Sequence, residues 1–256
     1  MHTLLKDKNI LIMGVANKWS IAWAIAQACR KAGARLAFTY QGERSLENLQ
    51  KLTEDDSEAI LIPCDVTKDE ELEAAFGQLK EKMGVLHGVA HCIAHAKKEE
   101  LEGMYLNTSR QGYLMAQEIS AYSLVAATKY ARSLMKEGGS IVTLTYLGGE
   151  RVTKNYNVMG VAKAALDASV RYLAVDLGKE NIRVNGISAA PIKTLAARGV
   201  KNFTTMLKDF EHKAPIGRMV EAEEVANTAV FLCSSLSSGI NGEIIHVDGG
   251  YNILGY

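Results

Sequence analysis

An open α/β sheet, its parallel strands joined by covering helices, is the fold this chain predicts. Two observations carry the prediction. Short apolar runs recur along the 256 residues, with longer helix-period segments between them. Parallel neighbours need such crossovers, and a consistent right-handed crossover builds a doubly wound sheet. A third observation sets the domain count. No Pro/Ser-rich linker, repeat or charge block divides the chain, so residues 1–256 read as a single domain.

The elements follow in order. Asn9-Ile-Leu-Ile-Met13 reads as a buried strand, and Ser20 opens a helix to about residue 32. Arg35-Leu-Ala-Phe-Thr39 is the second strand, with a helix over 45–52. Ala59-Ile-Leu-Ile-Pro63 is the third, followed by a helix over 69–83. The fourth strand spans 86–93 and precedes a long helix over 113–135. Ser140-Ile-Val-Thr-Leu144 is the fifth, before a helix from Tyr156 to about 178. Ile182-Arg-Val-Asn-Gly-Ile187 and Glu243-Ile-Ile-His-Val247 bring the count to about seven strands. Between about 190 and 215 the alternation lengthens, with a helical segment at 198–208. An insertion after a strand's carboxyl end is where open α/β sheets place a helical substrate-binding lid.

Apolar residues make up 48% of the chain and the formal net charge is zero. The composition supplies a core and offers no basic face to nucleic acid or to an anionic membrane. The apolar runs are too short to span a bilayer, and the first eight residues lack the apolar segment of a signal peptide. Cys29, Cys64, Cys92 and Cys233 form no CxxC pair and read as reduced thiols of a cytoplasmic protein.

Chemistry first shows at Asn155-Tyr-Asn-Val-Met-Gly-Val-Ala-Lys163. Seven positions are about two helical turns, so the Tyr156 phenol and the Lys163 ammonium share a face. The phenol titrates at about 10, and a neighbouring cation favours negative charge on or beside its oxygen. An amphipathic helix places the same two residues together without any reaction, and the spacing alone does not separate the readings.

Signals for a nucleotide lie near the other end. The first strand closes at Gly14, and Ala16 lies between it and Ser20. Ser20 caps the next helix and leaves backbone N–H groups to meet a pyrophosphate, though an ordinary strand-to-helix turn uses the same residues. Asp65, in Cys64-Asp-Val66, either accepts an adenine amino group or caps the following helix. The second strand ends in Tyr40-Gln-Gly-Glu-Arg44. A 2′-phosphate calls for a basic side chain at this point. Gln41 and Gly42 are neutral and Arg44 falls in the next helix, which favours NADH over NADPH.

Several segments together resemble one family. They are Ile12-Met-Gly-Val-Ala-Asn-Lys18, Ser20-Ile-Ala-Trp23, Thr143-Leu-Thr-Tyr-Leu-Gly-Gly149, the Tyr156/Lys163 segment, Ile182-Arg-Val-Asn-Gly-Ile-Ser188 and Gly242-Glu-Ile-Ile-His-Val-Asp-Gly249. They are similar to the bacterial enoyl-acyl-carrier-protein reductases of the divergent short-chain dehydrogenase/reductase type, the triclosan-sensitive form. The similarity runs almost end to end and implies a Rossmann-like sheet, a homotetramer and an acidic acyl carrier protein as partner. It implies NADH-dependent reduction of a trans-2-enoyl thioester in fatty acid elongation. Tyr156 would hold the thioester oxygen, Lys163 the nicotinamide ribose, and Tyr146 would line the acyl site. Gly14, Ser20 and Ile21 would follow the pyrophosphate and adenosine. Asp65, Val66 and Ile93 would meet the adenosine half, with Gln41 beside it. Ile192 would meet the carboxamide and Thr194 the phosphates. Ala94, His95, Met159, Ala196 and Met206 would border the acyl group. Lys193, Arg198, Lys201 and Lys208 could dock the carrier, or be solvated lysines and arginine only. The chain departs from the family pattern at His95, usually Phe, and at Ala190, usually Gly. Ala190 therefore requires a negative φ.

Other chemistries fit less well. His91 and His95 are four apart, but in a strand-to-turn segment their rings need not converge on a metal, and no metal is expected. No G-x-S-x-G elbow marks a hydrolase. A ketoreductase of the same superfamily and a non-catalytic nucleotide sensor are the competing functions.

Overall fold

The structure, a computed structural model, describes residues 3–192, 194 and 203–255. Seven parallel strands form one sheet in the order β3-β2-β1-β4-β5-β6-β7. They are β1 (Asn9–Met13), β2 (Arg35–Tyr40), β3 (Ile60–Pro63), β4 (Gly88–His91), β5 (Gly139–Thr145), β6 (Ile182–Ala189) and β7 (Ile244–Val247). The helices are α1 (Ile21–Lys31), α2 (Glu43–Leu52), α3 (Asp69–Met83), α4 (Arg110–Gln117), α5 (Ser123–Arg132), α6 (Asn157–Leu177), α7 (Phe203–Lys213) and α8 (Ala222–Cys233).

The strands read as continuous apolar runs because both faces are covered. Ile10 and Ile12 enter a core with Ile25 of α1 and Val225 of α8. Leu11 and Met13 enter a second core with Leu72 of α3, Leu124 of α5 and Leu166 of α6. All four β1 side chains are fully buried. Each such burial stabilises the fold by about 1.5–3 kcal/mol before entropy is counted.

Three local features differ from the sequence reading. The long helix expected over 113–135 is interrupted by a π-helical turn at Glu118–Tyr122. There the Ser123 hydroxyl donates to the Ile119 carbonyl at 2.6 Å, and Ser120 Oγ both accepts from the His95 N–H and donates to the His95 carbonyl. Side chains bonded to main chain loosen the regular helical ladder. Tyr156 is the N-cap of α6 rather than a residue inside it. Helix α8 was not apparent from the sequence. Its N-cap is Glu221, outside the favoured Ser/Thr/Asp/Asn set, and it is fixed by a reciprocal box with Glu224. Of the insertion expected over 190–215, residues 193 and 195–202 lie outside the described set, and α7 forms its second half.

Sheet order reverses between β1 and β4, which opens a crevice at their carboxyl ends. Gly14 sits at that crevice with φ +93°, and a Cβ there would fall 2.3 Å from the Cys92 carbonyl oxygen. Both the backbone conformation and the close approach require glycine. Gly14→Ala is expected to cost about 2 kcal/mol or more, lowering Tm by roughly 4 °C or more. Calorimetry checks this, and an unchanged Tm would mean that the β1 and β4 ends separate at no cost.

Candidate active site

Lys163 is 5% exposed, on the second turn of α6, and its Nζ donates to the Leu144 carbonyl at 2.7 Å. Burial lowers the ammonium to about 8, against the opposing pull of Asp167 and Cys92. It is therefore mostly charged at neutral pH and titrates just above it.

Tyr156 is aimed by unusual backbone. Its neighbours Asn155 and Asn157 have φ of 61° and 26°, in the left-handed region that Asn tolerates better than most residues. The Asn157 amide donates to the carbonyls of Glu102 and Gly103 at 3.3 and 3.2 Å, which ties the start of α6 to the loop between β4 and α4. The Tyr156 ring meets Tyr146 edge-on, with centroids 5.0 Å apart at 70°. This contact needs the Gly148-Gly149 turn. A Cβ on Gly148 would lie 2.5 Å from the Tyr156 ring, and one on Gly160 would lie 2.7 Å from the Gly148 carbonyl. Burial raises the Tyr156 phenol well above its ordinary range, with Tyr146 and Asp167 adding to it. Burial raises Tyr146 to about 12, against the lowering effect of Thr153. Both phenols are thus held as neutral hydrogen-bond donors.

Beneath Lys163 lies His91, fully buried at the end of β4. Its Nδ1 lies 3.0 Å from Thr143 Oγ1 and its Nε2 2.8 Å from Ser123 Oγ. Burial, then Lys163, lowers the imidazole to about 3. His91 and His95 do not converge, since His95 is exposed. Among the described residues no group of three or more His, Cys, Asp or Glu could hold a metal ion.

The crevice between β1 and β4 holds a cleft of about 430 Å³. It gathers Gly14, Gln41, Asp65, Val66 and Ile93, and also Ala94 and His95. Thr39, Met115 and Ile119 line it too, without any motif that marks them in the sequence. Asp65 does not cap α3, whose N-cap is Lys68. Its Oδ1 instead accepts from the Thr67 N–H and hydroxyl at 3.0 and 2.7 Å. Burial opposes ionisation of Asp65, but Thr67, Gln41 and Lys68 outweigh it and hold the carboxyl below its usual range. Ser20 caps α1, its Oγ accepting from the Trp23 N–H at 3.3 Å, with Ile21 as the first helical residue. The arrangement suits an extended dinucleotide. It has a floor of bare backbone at Gly14, a helix N-terminus beyond it and an ionised carboxylate at the far end.

Tyr146 lines a second cavity of about 570 Å³, with Pro191, Phe210 and Tyr251. Met159 is buried against Leu101, Ala116 and Tyr156. Ile192 packs on the core that includes α1 and α8, and the Thr194 N–H donates to its carbonyl at 2.7 Å. Ala190 is buried and has no positive φ. Ala196, Lys193, Arg198 and Lys201 lie outside the described residues, as do the side chains of Met206 and Lys208. No helix among the described residues is long and apolar enough to cross a membrane.

Comparison with known proteins gives a consistent result. A family model described as enoyl-(acyl carrier protein) reductase matches residues 14–252. The chain is 60% identical over 255 residues to the NADH-named enoyl-acyl-carrier-protein reductase FabI of Bacillus subtilis, covering 99% of each. It is 52% identical to the NADPH-named FabI of Staphylococcus aureus, covering 98% of each. It superposes with TM-score 0.98 and 56% identity on the Bacillus cereus enoyl-acyl carrier protein reductase solved with NADP+ and indole naphthyridinone, covering 99% of this chain and 100% of that one.

His91 makes acid a specific stress. Its folded value of about 3 lies below the ordinary 6.5, so the unfolded chain binds the proton first. The stability held by neutral His91 is complete above pH 6.5 and is lost as pH falls from there toward 3. His91→Gln is expected to be less stable at pH 7.5 yet to lose less than wild type between pH 7.5 and 5. Denaturant midpoints at the two pH values check this, and parallel losses would contradict it.

Proposed function

Because this chain belongs to the enoyl-(acyl carrier protein) reductase family, we infer that it reduces the 2,3 double bond of a trans-2-enoyl thioester carried on acyl carrier protein, with NADH as donor. The observation that carries the reading is a buried, charged lysine on α6 together with two neutral phenols in edge contact, one of them the N-cap of that same helix, at the carboxyl edge of the sheet. When bound in the β1/β4 cleft, NADH supplies the hydride that adds to the β-carbon of the substrate.

The chain's own residues do the rest. Tyr156 donates a hydrogen bond to the thioester oxygen, where negative charge collects as the β-carbon gains hydride, and a proton from solvent then reaches the α-carbon and restores the thioester carbonyl. A donor placed at such an oxyanion is worth about 3–4 kcal/mol. Lys163 holds the ribose hydroxyls and supplies the positive field that favours this charge. Tyr146 packs the phenol of Tyr156 and, with Met159, Ala94 and His95, borders the acyl group. Gly14, Ser20 and Ile21 receive the pyrophosphate and adenosine, while Asp65, Val66, Ile93 and Gln41 receive the adenine end. Ile192 and Thr194 hold the carboxamide and phosphates. NADH is favoured over NADPH because Gln41 is neutral and turned to Asp65, and Gly42 carries no side chain.

The reaction runs in the cytoplasm, a setting in keeping with four free cysteines. Assembly as a homotetramer gives partners to exposed apolar side chains such as Tyr172 and Val175 of α6, which are 77% and 80% exposed. Lys193, Arg198, Lys201 and Lys208 dock the acidic carrier.

Oxidation of NADH and NADPH followed at 340 nm with crotonyl thioester tests the reading. NADH is expected to exceed NADPH at least about tenfold in kcat/KM, since discrimination at one such site is worth 1.4 kcal/mol or more. Equal use would contradict the Gln41 argument. Tyr156→Phe is expected to lose about 10²–10³ in kcat with NADH affinity intact. Retained turnover would remove Tyr156 from the reaction.

A further inference from the structure

Four buried side-chain oxygens among the described residues have no hydrogen-bond partner, at Thr128, Thr145, Asp167 and Ser188. The last three belong to α6 and to the two strands beneath it. Thr145 and Ser188 are register partners on β5 and β6, so they stand on one face of the sheet. That face carries α6, since Leu144 and Ile187, their chain neighbours, turn to the opposite core, while Val184 shares the core of Leu166. Asp167 follows Lys163 by one turn of α6 and is 6% exposed. Its Oδ2 lies 2.9 Å from the position a Cβ on Gly149 would take, so the glycine makes room for the carboxylate. Burial pushes the Asp167 carboxyl above its usual range, and the Thr145 hydroxyl and Lys163 oppose that by favouring the ionised form, though neither Thr145 Oγ1 nor Asp167 Oδ1 has hydrogen-bonding geometry to any partner.

Buried polar atoms that find no protein partner are met by internal water, which needs two to four polar neighbours. Thr145 and Ser188, side by side on the sheet face under α6, and Asp167 next to Thr145 offer such a set. We propose that Thr145, Ser188 and Asp167 hold an internal water that keeps Asp167 ionised as the buried counter-charge of Lys163, which makes Asp167 a positioning residue for the reductase. The proposal rests on Lys163 serving the reaction described above. The other groups facing the pair are known. Lys163 meets His91 at the end of β4 and Cys92 just after it, and His91 is neutral. Asp167 meets Arg171 on its own helix and Glu150 from the turn after β5, and Glu150 itself lies 3.0 Å from His246 of β7. None of these stands in for a carboxylate one helical turn from the ammonium.

The test is the pH profile of kcat/KM for NADH in wild type, Asp167→Asn, Asp167→Glu and the double variant Thr145→Val/Ser188→Ala, with direct titration of Lys163 by NMR of lysine-labelled enzyme. Loss of the counter-charge favours the neutral amine, so the alkaline limb and the Lys163 titration are expected to move down by about one pH unit in Asp167→Asn. Asp167→Glu restores them, and the double variant moves them the same way by less. A folded Asp167→Asn whose limb and Lys163 titration stay at the wild-type pH overturns the proposal, even if its Tm falls. If Asp167→Asn does not fold, the double variant decides, and an unmoved Lys163 titration there overturns the proposal. Wild-type enzyme without turnover would sink the reductase reading instead, and the NMR titration would still report on the counter-charge.

Discussion

A lysine ammonium buried to 5% exposure and bonded to a main-chain carbonyl is the constraint around which this fold is arranged. A charge removed from water is costly unless hydrogen bonds and opposite charge meet it. The Leu144 carbonyl meets part of that need at 2.7 Å, and Asp167 adds opposite charge from the same helix. The remaining donor capacity of Nζ is what the proposed reaction uses. A lysine solvated at the surface would have neither the lowered value of about 8 nor a fixed direction.

That constraint explains why so much glycine and so little freedom surround α6. Gly148 and Gly149 let the turn after β5 lie against Tyr156 and Asp167, and Gly160 lets α6 approach the same turn. The result is a rigid frame of backbone contacts under both phenols. The left-handed Asn155 and Asn157 set the direction in which Tyr156 leaves the chain. Strain of this kind persists where surrounding contacts over-determine it, and here Asn157 is tied to two carbonyls of a neighbouring loop.

The sheet was legible in the sequence because its signal is local. All seven strands lie where apolar runs placed them, and their parallel order follows from the crossovers. What was illegible depends on partners distant in the chain. Helix α8 is opened by glutamates, one of which also pairs with Arg218. The π turn at 118–122 owes its shape to bonds reaching back to His95. Asp65 suits an adenine contact or a helix cap in the sequence, and it is Thr67 two residues on, not the helix, that bonds its carboxylate. Around Lys163, the i+4 spacing of Asp167 was a readable sign, whereas Thr143, Ser123 and Ser188 carry none, since serine and threonine in apolar strands and helices are common without function. The cleft residues Gly14, Gln41, Asp65, Val66 and Ile93 lie together, while Tyr146 opens onto a different cavity.

The account stands or falls on whether Lys163 serves the bound dinucleotide. The most direct measurement is the dissociation constant of NADH for folded Lys163→Met, titrated by fluorescence at neutral pH beside wild type. The account predicts weakening of at least about tenfold, the loss expected when a charge-assisted hydrogen bond is removed. Wild-type affinity in that variant would show that the buried ammonium serves the protein's interior alone.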